Sequence, residues 1–280
     1  MPSLRHPPEK PANDSPPTIH ASVWLGFAAL LLAVLVVVAQ RPALRHGVPL
    51  AVLVTLGFGL SAWVVRGVTL GGALAGFLST SLLFVAGGPA LFGAVLLVFV
   101  PTLAATRFGR RRKQQLAIAE RSSGRDGAQV LANVGLSALA AGLSVLTPIR
   151  LPLLVGSLAA LAEAACDTVS SETGKALAQT ARLVTSGKTV PAGTDGAISL
   201  PGTLTGAAAA TLVGMEALLS GLVSARLAIV VVLSGILGML MDSLLGVTLE
   251  GRGWLTNNGV NFASTGFSVL LATIATQQFA

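Results

Sequence analysis

Charge is scarce in this 280-residue chain: 10% of its residues are Asp, Glu, Lys or Arg, against roughly 25% in an ordinary soluble domain. So few charges cannot cover a water-facing surface, and most soluble enzyme classes are excluded. Histidine is nearly absent. His6, His20 and His46 are too scattered for a metal cluster or a catalytic dyad, so neither zinc chemistry nor Ser–His–Asp hydrolysis is expected. Cysteine occurs once, as Cys166 in an apolar run, so no intramolecular disulfide can form and the redox compartment stays open.

What is present points to lipid. Hydrophobic residues make up 53% of the chain, the mean hydropathy is +0.80, and there are 32 glycines. Small residues let membrane helices approach closely. The expected fold is all-α, a polytopic membrane helix bundle with the lipid bilayer as its solvent. The net charge of +7 would suggest nucleic acid in a soluble protein. Here it is read as basic loops that fix orientation, with no nucleic-acid partner.

Residues 1–21 carry six prolines among polar residues and are read as a disordered tail, leaving 22–280 as one transmembrane domain. The run Ala21–Ala39 is long enough to span about 30 Å of hydrocarbon, and is read as a retained first helix. Further apolar runs lie at about 48–65, 68–86, 89–106, 128–147, 151–174, 203–222, 227–248 and 261–278. Only the turn at Arg66-Gly67 parts the second run from the third, so eight to nine spans are expected.

The short stretch from Arg107 to Arg125 holds seven positive charges, which marks that side as cytoplasmic. Nine alternating spans then put fourteen of the eighteen Lys and Arg on that side, leaving Arg41, Arg45, Arg150 and Arg226 opposite. The amino terminus is expected inside a cell membrane and the carboxy terminus outside.

The informative residues are the polar ones in apolar helices. A charged side chain at mid-helix costs roughly 2.5–3.5 kcal/mol on insertion scales. Yet the sixth span holds Glu163, Asp167 and Glu172, and the eighth holds Asp242. Glu163 and Asp167 share a helix face. Glu216, toward the outer end of its span, is read as snorkelling. Asp167-Thr168-Val169-Ser170 and Asp242-Ser243 begin loosely similar patterns that end at the same face. Carboxylates beside hydroxyls are hard oxygen ligands suited to Mg²⁺ that also binds substrate phosphates. The intervening loop brings Lys188, Gly193, Thr194, Gly196 and Ser199 to a helix amino terminus, a setting that suits phosphate, although it is no Walker A motif. On composition alone, a loop of this kind is more often only a loop. Gln129 and Asn133, four apart in an apolar helix, need partners, and Asn258 and Asn261 open the last span. Five polar motifs thus converge on the cytoplasmic face.

With those motifs, the chain resembles a family of integral membrane proteins that includes animal transmembrane protein 19 and the plant phytyl-phosphate kinase. The resemblance covers about 67–275. It rests on Arg107-Phe108-Gly109, Arg125 with Gln129 to Asn133, Asp167-Thr168 with Glu172 to Gly174, Val190 to Thr194 with Gly196 and Ser199, Asp242 to Gly246, and Asn258 to Phe262 with Ser264. Two departures touch these motifs: Val169-Ser170-Ser171 where the family has Trp-Ala-Thr, and Asp195 where Ser or Gly is commoner. The resemblance implies a membrane-embedded prenyl-phosphate kinase. Such an enzyme moves a phosphoryl group from a nucleoside triphosphate, such as CTP, to an isoprenoid monophosphate such as phytyl or geranylgeranyl phosphate.

On that reading Asp167, Asp242 and Glu172 hold Mg²⁺ and carry catalysis. Arg125, Lys188, Gly193, Thr194, Gly196 and Ser199 bind nucleotide and phosphate. Gln129, Asn133, Asn258 and Asn261 orient substrate. Three alternatives stay open: a transporter or flippase of a phosphorylated lipid or small anion, a CTP-dependent cytidylyltransferase, and a membrane scaffold. The sequence leaves the nucleotide, the isoprenoid length and the oligomeric state undetermined.

Overall fold

A computed structural model describes residues 21–120 and 122–278, so residues 1–20 of the expected tail, Arg121 and residues 279–280 lie outside the described residues. The chain begins with α1 (Ala21–Gln40), a tight turn at Pro42–Gly47, α2 (Val48–Val64), α3 (Leu70–Arg107) and the short α4 (Arg110–Gln115). Next come α5 (Gly127–Val130) and α6 (Leu136–Leu146), one continuous rod joined by a π-helical turn at Leu131–Gly135. Then follow α7 (Arg150–Leu177), α8 (Leu200–Leu219), α9 (Ala225–Leu245) with a π-helical turn at Gly246–Glu250, and α10 (Asn257–Gln277). Among the described residues, eight helical stretches are long and apolar enough to cross a bilayer.

One of the eight crosses twice. A straight helix of α3's 38 residues would measure about 57 Å, nearly twice the thickness of the hydrocarbon core. Gly88 breaks it with φ 65° and ψ −157°, a conformation open to glycine, and Pro89 follows. Its two arms return to the same face. Arg107 at the far end donates to the Val65 carbonyl just before the helix begins, and the Phe99 ring lies against Gly67. The runs expected at 68–86 and 89–106 are therefore a hairpin, which gives nine membrane-spanning segments among the described residues.

The bundle closes on α7. From Val155 to Cys166 every one of its side chains is buried, because alanine and glycine let the neighbours approach on all sides. Gly206 of α8 lies on the Cys166 carbonyl and Gly235 of α9 on Ala162, where a Cβ would collide with α7 backbone. Large apolar side chains such as Leu25, Leu53, Leu204, Leu219 and Leu270 face outward, where only lipid suits so much exposed hydrocarbon.

The polar connections gather at one end, the loop face. Val68 forms a parallel bridge with Arg125, Ile118 lies on Gly193, and Val247 lies on Gly196. The stretch expected as a plain loop at 175–202 departs from an all-α chain: it holds three short strands, β1 (Thr180–Leu183), β2 (Thr189–Pro191) and β3 (Ala197–Ile198). They pair antiparallel in the order β2-β1-β3, with Arg182 opposite both Thr189 and Ile198. The basic run is not simply a solvated loop either. Lys113 is fully buried, and Arg112 donates to the carbonyls of Ala176 (3.0 Å) and Ala178 (2.6 Å), stitching the run to the end of α7.

Candidate functional site

The small sheet holds its trailing loop over the ends of α7 and α9. Gly193 (φ 89°) and Gly196 (φ 67°) both take left-handed conformations that glycine adopts without strain. At Gly196 no side chain would fit, because Val247 and the Ser243 carbonyl occupy its Cβ position. Ser199 caps α8, its Oγ accepting from the Gly202 N–H at 3.3 Å. Beneath lies a polar cavity of about 130 Å³, lined by Gly193, Thr194, Gly196 and Ser199 from the loop and by Asp167, Lys175 and Asp242 from the helices.

A second polar cavity, about 80 Å³, adjoins it and is lined by Arg125, Gln129, Asn133, Glu172 and Asn261. Asp167, Ser171, Lys175 and Asn257 line both cavities, so one wall is common to the two. The local sequence explains how the second is shaped. Asp126 caps α5 by accepting from the Gln129 N–H (3.0 Å), while Gln129 Oε1 accepts from the Asp126 N–H (2.9 Å), a reciprocal capping box. The π-helical turn follows at once and carries Asn133, whose Nδ2 donates to the Gln129 carbonyl at 2.8 Å. Among the described residues, the Arg125 guanidinium makes one side-chain hydrogen bond, to Thr106 Oγ1 at 3.4 Å. Burial pulls its pKa below the usual arginine value, opposed by the nearby Glu120, Glu172 and Asp167 carboxylates. A desolvated guanidinium with a single, long side-chain hydrogen bond among the described residues is suited to an anion.

Behind the shared wall lie more acids. Ser264 Oγ sits 2.7 Å from Glu163 Oε1 and 3.3 Å from Asp242 Oδ2, and its single proton can serve only one of them at a time. Glu163 Oε2 is buried with no hydrogen-bond partner among the described residues. Asn261 links the two halves. Turned so that both ends of its amide are satisfied, it donates to Asp242 Oδ2 (3.1 Å) and accepts from Asn133 Nδ2 (3.3 Å). These contacts join α5–α6, α7, α9 and α10 in one network.

Glu172 has a different place from the one the sequence suggests. Its Oε2 accepts from Lys113 Nζ at 2.6 Å, and its Oε1 lies 3.4 Å from Lys175. Lys113 also donates to the carbonyls of Ala105 (3.0 Å) and Thr106 (2.8 Å) at the end of α3. Among the described residues no three His, Cys, Asp or Glu side chains come together at metal-holding distance. The expected Asp167–Asp242–Glu172 triad is thus not assembled. The donor set still fits Mg²⁺: two carboxylates and the Ser170 and Ser243 hydroxyls line one cavity, and an orphaned carboxylate oxygen lies behind it. Mg²⁺ is commonly held by one or two carboxylates and completed by water and phosphate oxygens.

Eleven of the thirteen residues singled out in the sequence line one or the other polar cavity. Lys188 does not: it sits beside the turn of the β1–β2 hairpin, exposed to solvent. Asn258 faces the groove between α1 and α10 instead, and its neighbour Asn257 takes the position on the shared wall. Sequence reasoning missed Lys175, the cation common to both cavities, and the roles of Glu163 and Ser264. The available signal for Lys175 was its place in the Asp167 pattern, eight residues on and so on the same helix face.

The profile of the integral membrane protein family DUF92 matches residues 53–269. The chain belongs to that family. It is 36% identical over 193 residues to the uncharacterized membrane protein sll0875 of Synechocystis, a match that covers 66% of this chain and 74% of that one. It is 33% identical over 227 residues to the chloroplastic protein VTE6 of Arabidopsis thaliana, covering 78% and 68%. Protein PGR of the same plant is 30% identical over an alignment of 282 positions, covering 80% and 94%. No solved structure matches the chain.

Proposed function

We propose that this membrane protein is a kinase of prenyl monophosphates, acting at its loop face. One observation carries the reading: Asp167 and Lys175 stand in the wall common to the two polar cavities. A site that moves a phosphoryl group between two substrates needs two anion pockets that meet at the transferred group. Such catalysis is mostly positioning and charge stabilisation.

The Gly193–Ser199 loop, which lines the first cavity and leads into the amino terminus of α8, would hold the phosphates of the nucleotide. Arg125, with Gln129 and Asn133, would hold the acceptor monophosphate. Lys175, between them, would neutralise charge on the group in flight. An oxygen of the acceptor phosphate attacks the γ-phosphorus, the bond from that phosphorus to the β–γ bridging oxygen breaks, and the products are prenyl diphosphate and nucleoside diphosphate. The attacking oxygen is already ionised, so no strong base is needed. Asp167 and Asp242 would hold Mg²⁺, which when bound offsets negative charge on the transferring group. The resemblance to the plant phytyl-phosphate kinase supports the substrate class. Both cavities lie toward the loop end of the helices, whereas transporters place their sites near the bilayer midplane.

The test is a product assay on purified protein in detergent with Mg²⁺, CTP or ATP, and phytyl or geranylgeranyl monophosphate, read by mass spectrometry. Prenyl diphosphate that appears with the wild type and vanishes with Asp242→Asn supports the kinase. Released pyrophosphate with a cytidylylated lipid would make it a cytidylyltransferase. Folded protein that forms no product with any nucleotide, but moves prenyl phosphate across liposomes, would replace the kinase with a transporter.

A further inference from the structure

Beyond the polar cavities lies an apolar cleft that the chemistry at the loop face does not use. It runs between α2 and the two arms of α3, walled by Phe58, Gly72, Gly76, Val95 and Phe99, and is backed by α7 and the α5–α6 rod. Its mouth is made of Arg125, Gln129 and Asn133, the same three side chains that line the second polar cavity. Polar cavity and cleft thus adjoin, with Arg125, Gln129, Asn133 and Thr168 lining both. From Gly72 to Thr80 the wall rises by about 12 Å along α3, at 1.5 Å per residue.

Two details separate this cleft from a packing gap. Thr102 lines it, one turn from the Thr106 that contacts Arg125, and its hydroxyl is buried without a hydrogen-bond partner among the described residues. An unpaired donor beside an under-used guanidinium suits the oxygen end of a ligand. Deeper in, a Cβ placed on Gly76 would meet nothing within 4 Å, although small residues in membrane helices ordinarily sit where a neighbour presses close. Phe58 stands opposite, fixed edge-on by Phe92 (5.5 Å) and Phe99 (5.1 Å), which makes a rigid wall.

We propose that this cleft takes the head-proximal part of the substrate's prenyl chain, with the phosphate at Arg125, and that the open space at Gly76 admits a chain of several isoprene units. The inference rests on the prenyl-phosphate reading of the headgroup pocket and adds the tail site and a residue that sets chain length.

A photoreactive diazirine analogue of geranylgeranyl monophosphate, applied to purified protein without nucleotide, tests it. The expected adducts map to α2 and α3, around residues 58–76 and 95–102, and are competed by geranylgeranyl monophosphate. In Gly76→Leu these adducts should fall about tenfold, roughly 1.4 kcal/mol of binding. Protection by dimethylallyl monophosphate, which stops short of Gly76, should be unchanged, and Gly76→Ala should behave as wild type. Adducts confined to the groove between α1 and α10 would overturn the assignment, as would Gly76→Leu protein labelled like the wild type. The wild-type adduct map holds whether or not the Leu variant folds. If adducts fall on α2 and α3 but no nucleotide yields diphosphate, the kinase fails and the tail site stands. If diphosphate forms while adducts lie elsewhere, the reverse holds.

Discussion

Replacing Lys113 by Met keeps most of the buried stem and removes the ammonium from Glu172. The pair is closed at 2.6 Å, with the lysine side chain fully buried and the glutamate 5% exposed, so solvent cannot take over the lost partner. Breaking a buried pair from one side costs about 3–5 kcal/mol, because the remaining charge is left uncompensated. Two α3 carbonyls, of Ala105 and Thr106, lose a donor as well. At about 2–4 °C per kcal/mol, Tm should fall on the order of 10 °C. Tryptophan fluorescence or size-exclusion recovery after heating in detergent would read it. Glu172→Gln should cost a similar amount. Lys113→Met combined with Glu172→Gln should cost less than the sum by about 1–3 kcal/mol, the coupling expected of groups in contact. Strict additivity, or a Lys113→Met protein as stable as the wild type, would refute the structural role of Glu172. A ligand role would show instead as weakened Mg²⁺ dependence in Glu172→Gln with Lys113→Met unaffected.

Four further outcomes are expected. Asp167→Asn and Asp242→Asn should each abolish diphosphate formation while expression and detergent elution stay normal; near-wild-type turnover in both would remove the metal assignment. Arg125→Ala should raise KM for the prenyl phosphate about ten- to a hundredfold, since hydrogen bonds to a charged group are worth about 1.5–3 kcal/mol, with a smaller change in the nucleotide KM. Gly196→Ala should lower Tm and raise the nucleotide KM, because a left-handed backbone with no room for a Cβ costs about 1–3 kcal/mol. Lys175→Ala should lower kcat by at least tenfold while Lys188→Ala leaves the rate near wild type, in steady-state assays of both; the opposite ranking would return Lys188 to the phosphates.

The spans were legible because hydrocarbon demands long apolar runs, and nothing else in the chain resembles them. Even the hairpin in α3 was visible as two runs parted by Gly87-Gly88-Pro89, although its helical backbone is almost unbroken. The polar cavities were legible for the converse reason: Asp167, Asp242, Gln129 and Asn133 are conspicuous where polar groups are costly. What the sequence did not reveal was pairing and local register. Glu172 was drawn to a lysine 59 residues earlier, in a run whose charges a topology argument counts only by sign. Strand pairing places Lys188 beside a hairpin turn outside both cavities, and at the start of α10 it is Asn257, one residue before Asn258, that lines them.

The burial of α7 bears on how the protein is made. A helix whose middle, from Val155 to Cys166, is enclosed on every side, and which carries Glu163, Asp167 and Glu172, is a poor guest for a bilayer on its own; each acid costs roughly 2.5–3.5 kcal/mol near the centre of a lone span. Most of its eventual neighbours, α8, α9 and α10, emerge from the ribosome after it. Stable insertion of α7 therefore has to wait for segments not yet synthesised. A chain cut short after Leu177 should leave α7 loosely held or at the membrane surface, exposed to quality-control proteases, until α8 and α9 arrive to enclose it.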